Sequence, residues 1–103
     1  MKSIVTKYTE ICALCGKPAS DPHHLVYGRG LRKLADSDYL VLSVCRNCHD
    51  EIHKNGAAGQ LSKIAGQLAW EKRYVARQAE IPFEDLEEEA REEFRSRYGV
   101  SFL

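Results

Sequence analysis

Two cysteine pairs, Cys12-x-x-Cys15 and Cys45-x-x-Cys48, bracket a His-His step at His23-His24, and the second pair runs directly into His49, with His53 four residues further on. Two thiolates at x-x spacing within a turn present both sulfurs to one tetrahedral ion, and two such turns complete a closed four-sulfur site. Cys12, Cys15, Cys45 and Cys48 are therefore expected to hold structural zinc. An apparent binding energy of ~10–16 kcal/mol would then also be folding energy. Disulfides are the competing use of four cysteines, but C-x-x-C pairs in an intracellular chain are more often metal ligands or redox sites. A thioredoxin-like redox role would call for one such pair on a βαβ scaffold, and here there are two. The 29 residues between the pairs must form structure of their own.

The four histidines are a second set of ligand chemistry. His49 and His53 stand one turn apart on the same face of an expected helix, so both imidazoles can reach a single ion. Successive side chains on a strand point to opposite sides, so only one of His23 and His24 can supply a third ligand. A three-histidine site with open coordination positions suits catalysis better than structural support. The alternatives are that His49 replaces a cysteine in the sulfur site, or that the histidines are scattered over the surface.

A chain of 103 residues, 44% hydrophobic and 29% charged, fits one globular domain over residues 1–103 with little stability to spare. No apolar stretch approaches the ~20 residues needed to cross a bilayer, which leads us to expect a cytoplasmic protein without a membrane partner. The net charge of zero hides an asymmetry: residues 1–79 carry 12 Lys and Arg against 7 Asp and Glu, whereas residues 80–103 carry 3 against 8. A basic front suits a polyanion, and the acidic end should face away from it or simply be a solvated face.

Along the chain, Ile11–Leu14 leads into a Cys-x-x-Cys-Gly knuckle, and His23–Tyr27 reads as the end of a strand broken by Gly28-Arg29-Gly30. A basic loop is expected next, then a strand over 40–44. A short helix should run from Asn47, as its N-cap, to Lys54 and stop at Asn55-Gly56. Leu61, Ile64, Ala65, Leu68, Val75 and Ala79 keep near-helical spacing, with Gly66 costing ~1 kcal/mol relative to Ala. Pro82 should open a last helix marked by Phe83, Leu86, Ala90, Phe94 and Tyr98, with Glu87–Arg91 and Glu93–Arg97 as i,i+4 ion pairs and Gly99 at its end. Trp70 and Tyr74 read as packing residues rather than base-stacking platforms.

His23-His24, the basic loop, the apolar strand into Cys45-x-x-Cys48-His49, and His53 together resemble the HNH endonuclease family of the ββα-metal superfamily, also called His-Me finger nucleases. The Cys12/Cys15 knuckle is typical of members with a supporting zinc. The chain looks most like small phage and prophage HNH proteins related to the phage recombination enhancement function nuclease, and its Met1–Ile4 opening and Arg97–Leu103 ending are similar to theirs. The resemblance implies an α+β fold: a ββα-metal core over about 10–56, a four-cysteine zinc site, and two additional C-terminal helices over about 60–99. It also implies metal-dependent hydrolysis of DNA phosphodiesters in phage or prophage recombination or DNA processing. By the same resemblance, His24 is the general base, while His23, His49 and His53 hold a catalytic divalent ion (Mg, Mn, Ni or Zn), and a RecA-type recombinase filament is a candidate partner. A histidine with an unperturbed pKa near 6.5 suits the base's task. Arg29, Arg32 and Lys33 are the candidate phosphate contacts. The family's central asparagine would align near Leu40, which leaves Asp38 or a backbone carbonyl to orient His24. The alternative is a nuclease-derived zinc module that binds nucleic acid or a recombination protein without cutting.

Overall fold

Consecutive burial of Leu25 and Val26, at 2% and 0% exposure, ends the strand alternation expected to run on to Tyr27. The computed structural model, which describes residues 2–78 and 83–103, pairs β1 (Asp21–His24) with β2 (Val41–Val44) as a two-stranded antiparallel sheet. His23 lies opposite Leu42 and His24 opposite Val41. Beyond His24 the chain leaves the pleat to fill the core, keeping one further bond from the Leu25 amide to the Leu40 carbonyl at 2.9 Å. Leu40, where the family asparagine would fall, is fully buried.

Between the strands lies a helix rather than the expected basic loop: α1, Leu31–Ser37. Leu31, Leu34 and Ala35 recur at helical spacing and turn toward the core, where Ala35 is fully buried. After β2 comes α2 (Arg46–Lys54), capped by Cys45 rather than Asn47; the Cys45 sulfur accepts the Cys48 amide at 3.5 Å. The short helix ends at Lys54 as expected, but a new helix begins at once. Asn55, extended at φ −102°, closes α2 and opens α3 (Gly56–Ala76), its side-chain oxygen accepting the amides of Ala57 and Ala58 at 3.0 and 3.1 Å.

The buried face of α3 is not the apolar one that the spacing suggests. Leu61 and Leu68 are 65% and 50% exposed, whereas Ser62, Gly66, Gln67 and Glu71 are buried. Gly66 explains this: a Cβ there would lie 2.8 Å from Val26 Cγ2 and 3.0 Å from Leu25 Cβ, so α3 crosses the end of β1 at a distance only glycine permits. Gln67, fully buried, donates to Glu71 at 2.7 Å and to Ser101 at 3.0 Å, and accepts the Phe102 amide at 2.7 Å, which staples the C-terminal segment to α3.

Helix α4 spans Phe83–Tyr98 and buries Leu86, Ala90, Phe94 and Tyr98 at the expected spacing. Pro82, Ala79 and the Phe83 side chain lie outside the described residues. Neither anticipated pair within α4 holds its arginine: Arg91 meets Glu71 at 3.6 Å, and Arg97 makes a bidentate bond to Asp38 at 2.7 and 2.8 Å. A fork on a carboxylate only 15% exposed outcompetes a solvated i,i+4 pair. Asp38 also accepts from Trp70 Nε1 and the Tyr98 hydroxyl, so one carboxylate ties the turn before β2 to both long helices. Trp70 packs edge-on against Phe94, as a core residue. Gly99 ends α4 at φ 76°. Among the described residues no helix is long and apolar enough to cross a membrane.

Candidate metal centres

The first knuckle turns at Gly16, whose φ of 78° suits a residue without a side chain, and whose amide bonds the Cys12 carbonyl at 3.0 Å. Ala13 donates to the Ser43 carbonyl at 2.9 Å, which docks this turn beside the end of β2, and the second knuckle follows β2 directly. The sulfurs of Cys12, Cys15, Cys45 and Cys48 consequently lie within 4.8 Å of one another. Those of Cys15 and Cys45 are 3.7 Å apart. Tetrahedral zinc with bonds of about 2.3 Å separates its sulfurs by about 3.8 Å, so the cluster has the size of a closed zinc site and can hold a structural metal of that kind. Burial opposes charge on Cys12, but backbone amides of Cys45, Leu14 and Cys15 outweigh it and bring the thiol down to about 6. Cys48, donating to Cys45 and partly desolvated beside the other sulfurs, is pushed up to about 12.

The histidines form a separate cluster. His23 from β1 and His49 and His53 from α2 each bring one ring nitrogen within 4.8 Å of the others. Ring centroids are 4.9 to 5.5 Å apart. His49 is thus not part of the sulfur site, and these three histidines are not scattered.

Hydrogen bonds fix which nitrogen each ring offers. The single Ser62 hydroxyl proton goes to the Leu25 carbonyl at 2.8 Å, so its oxygen accepts from His23 Nε2–H, also at 2.8 Å. That leaves a lone pair on His23 Nδ1, a buried atom with no partner among the described residues. His49 Nδ1–H donates to Asp21 at 3.0 Å, and Arg46 binds the same carboxylate at 2.8 and 3.3 Å. The Arg46 and His49 hydrogen bonds hold the Asp21 carboxyl down at about 2. His49 Nε2 is thereby left facing His53 Nε2 at 3.2 Å, close to the separation of two nitrogens on one ion bonded at about 2.1 Å. Burial, followed by the charges of His49, His53 and His24, lowers His23 to about 4, and burial also lowers His53. Neutral imidazole, the metal-binding form, is therefore favoured here.

His24 points away from this trio. Its Nε2–H donates to Asp36 Oδ1 at 3.0 Å, and Arg32 Nε approaches Nδ1 at 3.4 Å. The partner is thus Asp36, two residues before Asp38 and inside α1, rather than Asp38 or a backbone carbonyl, because Asp38 is committed to Trp70, Arg97 and Tyr98. His24 lies at the wall of an open cleft of about 500 Å³ that also meets Lys2, Asp21, Tyr39 and Ser43. Arg32 and Lys33 border a second cleft on its other side, and Arg29 is exposed in the preceding turn. Sequence reasoning missed Ser62, Asp21 and Asp36, the three groups that set the tautomers; Asp21, two residues before His23, had the clearest signal, since its strand position places it on the His23 side.

No solved structure matches the chain. The uncharacterized protein YdfU of Escherichia coli (strain K12) is 40% identical over 70 residues, covering 67% of this chain and 20% of that protein. The chain therefore spans about a fifth of the length of this curated relative. Residues 4–84, a stretch containing every cysteine and histidine described above, place the chain in the family described as Protein of unknown function (DUF968), to which it belongs.

Proposed function

We propose that this protein is a metal-dependent endonuclease with an HNH-type ββα-metal centre that hydrolyses DNA phosphodiesters. The observation that carries the reading is the unpartnered, buried Nδ1 of His23 in a ring clustered with His49 and His53, next in the chain to a histidine that pairs with a different element. An ion in the imidazole cluster would supply Lewis-acid polarisation of the scissile phosphate and stabilisation of the departing oxygen. Mg, Mn, Ni and Zn are the candidates, and nitrogen ligands favour the last two.

The chain's own residues do the rest. Asp36 keeps the His24 proton on Nε2, so Nδ1 is the atom that takes a proton from water. Arg32, beside Nδ1, would move onto a phosphate oxygen when DNA enters, with Lys33, Arg29 and Lys2 adding positive charge around the clefts. Cys12, Cys15, Cys45 and Cys48 would hold a structural zinc that braces the knuckles leading into α2, away from the chemistry. A cytoplasmic setting, a phage or prophage role in recombination, and DNA presented on a RecA-type recombinase filament accompany this proposal through the family resemblance.

Cleavage of supercoiled plasmid with each candidate metal, bare and coated with a recombinase filament, tests it. Wild type is expected to nick or linearise the DNA, and His24→Ala to do so at least about a hundredfold more slowly. Asp36→Ala should fall between the two. Equal cutting by wild type and His24→Ala removes His24 as the base. Binding without cutting under every condition replaces the nuclease with a zinc module that only binds nucleic acid.

A further inference from the structure

One cleft outside both clusters carries charge that the fold does not use. It has a volume of about 300 Å³ and lies between the turn after α1 and the last turns of α3, with Ser37 and Tyr39 on one wall and the Trp70–Tyr74 pair on the other. The two aromatic rings stack at 5.7 Å and 15°. Asp38 at its floor is neutralised by Arg97. Arg73 and Arg77 also line it, and among the described residues neither meets a carboxylate within ion-pair distance, whereas Arg46, Arg91, Arg95 and Arg97 each do. Two guanidiniums without a carboxylate partner among the described residues, set beside an aromatic wall, form a receptor for oxyanions.

The cleft also has a direction. Ser37 is shared with the cleft that holds His24, Arg32 and Lys33, and Tyr39 with the one that holds His24 and Lys2. The three clefts thus adjoin around α1, and basic groups line each of them from Arg32 and Lys33 to Arg77, with Asp36 bonded to His24 and Asp38 to Arg97. The basic groups stop at Tyr74, whose hydroxyl pKa is raised by burial and then by the carboxylates of Glu89 and Glu93. An acidic wall at that end repels a polyanion and bounds the path. Basic residues at the end of α3 also suit the helix dipole, a role that needs no ligand.

We propose that Arg73 and Arg77 form a second phosphate-binding subsite, which grips the DNA backbone several nucleotides away from the bond beside His24. The choice of DNA rests on the nuclease reading. Trp70 is the chain's one tryptophan, so its emission reports directly on this cleft.

The test uses the full-length, zinc-loaded His24→Ala protein, titrated with a 30-base-pair duplex at several salt concentrations. Duplex binding is expected to change Trp70 emission with the same midpoint as an independent anisotropy signal. Adding Arg73→Ala and Arg77→Ala should abolish the emission change, weaken binding about tenfold, and lower the slope of log K against log salt by about 2, since each phosphate contact contributes ~0.9. Arg73→Lys with Arg77→Lys should restore the slope. An unchanged slope and emission response in the double alanine variant overturns the subsite. It does so without touching the nuclease reading, which is read separately from metal-dependent cutting by the His24-containing protein. Absence of duplex binding by the unsubstituted arginine protein overturns the subsite as well.

Discussion

The sulfur cluster and the imidazole cluster differ in what holds each together when no ion is bound. Around the sulfurs, Cys12 is buried, but Ala13 through Pro18 are all exposed, and the turn rests on a few backbone bonds and one isolated bridge between Ile11 and Pro18. Around the imidazoles, His23 is 1% exposed, and both it and His49 have their outer nitrogens engaged by Ser62 and Asp21. The chain itself holds the imidazole centre far more firmly than the sulfur centre, which has more to gain from an ion. Such a division suits a brace on one side and a preformed reaction centre on the other.

The largest effect should come from the sulfur side. Cys45→Ser, or strong chelation, is expected to unfold the N-terminal half at ambient temperature, because ~10–16 kcal/mol of coupled binding energy is lost. Circular dichroism and zinc content check this; a variant that keeps its fold without zinc would remove the contrast. On the imidazole side, acid is the sharper probe. His23 is neutral in the fold down to about 4 but protonates near 6.5 when unfolded, so its contribution is complete above pH 6.5 and is lost as pH falls toward 4. Between pH 6.5 and 5, urea unfolding monitored by Trp70 should show a loss of about 2 kcal/mol from this group, with His53 acting in the same direction. A flat profile would mean that His23 is not held as a buried neutral ring.

Ser62→Ala comes next. It frees the His23 proton to change nitrogen and should weaken metal binding at the imidazoles ~10–100-fold, with the sulfur site unaffected. Isothermal titration with Zn or Ni resolves the two sites, and equal affinity in wild type and variant would deny Ser62 its part. The smallest effect on the fold is expected from His49→Ala with His53→Ala, at about 1 kcal/mol or less, because both rings are partly solvated. Metal content should nevertheless drop from two ions to one. A collapse of the fold would make this centre structural too.

The four cysteines, the step from His23 to His24 and the spacing of α4 were legible because each is a local pattern with one physical meaning. What failed to show was set at a distance. Arg91 and Arg97 find Glu71 and Asp38 on other elements, and no i,i+4 rule sees those partners. Ser62 lies 39 residues from His23, and a single serine within a helix carries no motif. Asn55-Gly56 was ambiguous in principle, since asparagine can either close a helix or cap the next one, and here it does both. The exposed Leu61 and Leu68 misdirected the reading of α3, whose buried face is chosen by how closely Gly66 lets it approach Leu25 and Val26.

Because Asn55 joins α2 to α3 with no spare residue, the arm bearing His49 and His53 and the arm bearing Ser62 behave as the two limbs of a bell crank. The spacing of the paired rings on the first limb and the reach of the serine on the second are both set by the backbone angle at that one asparagine.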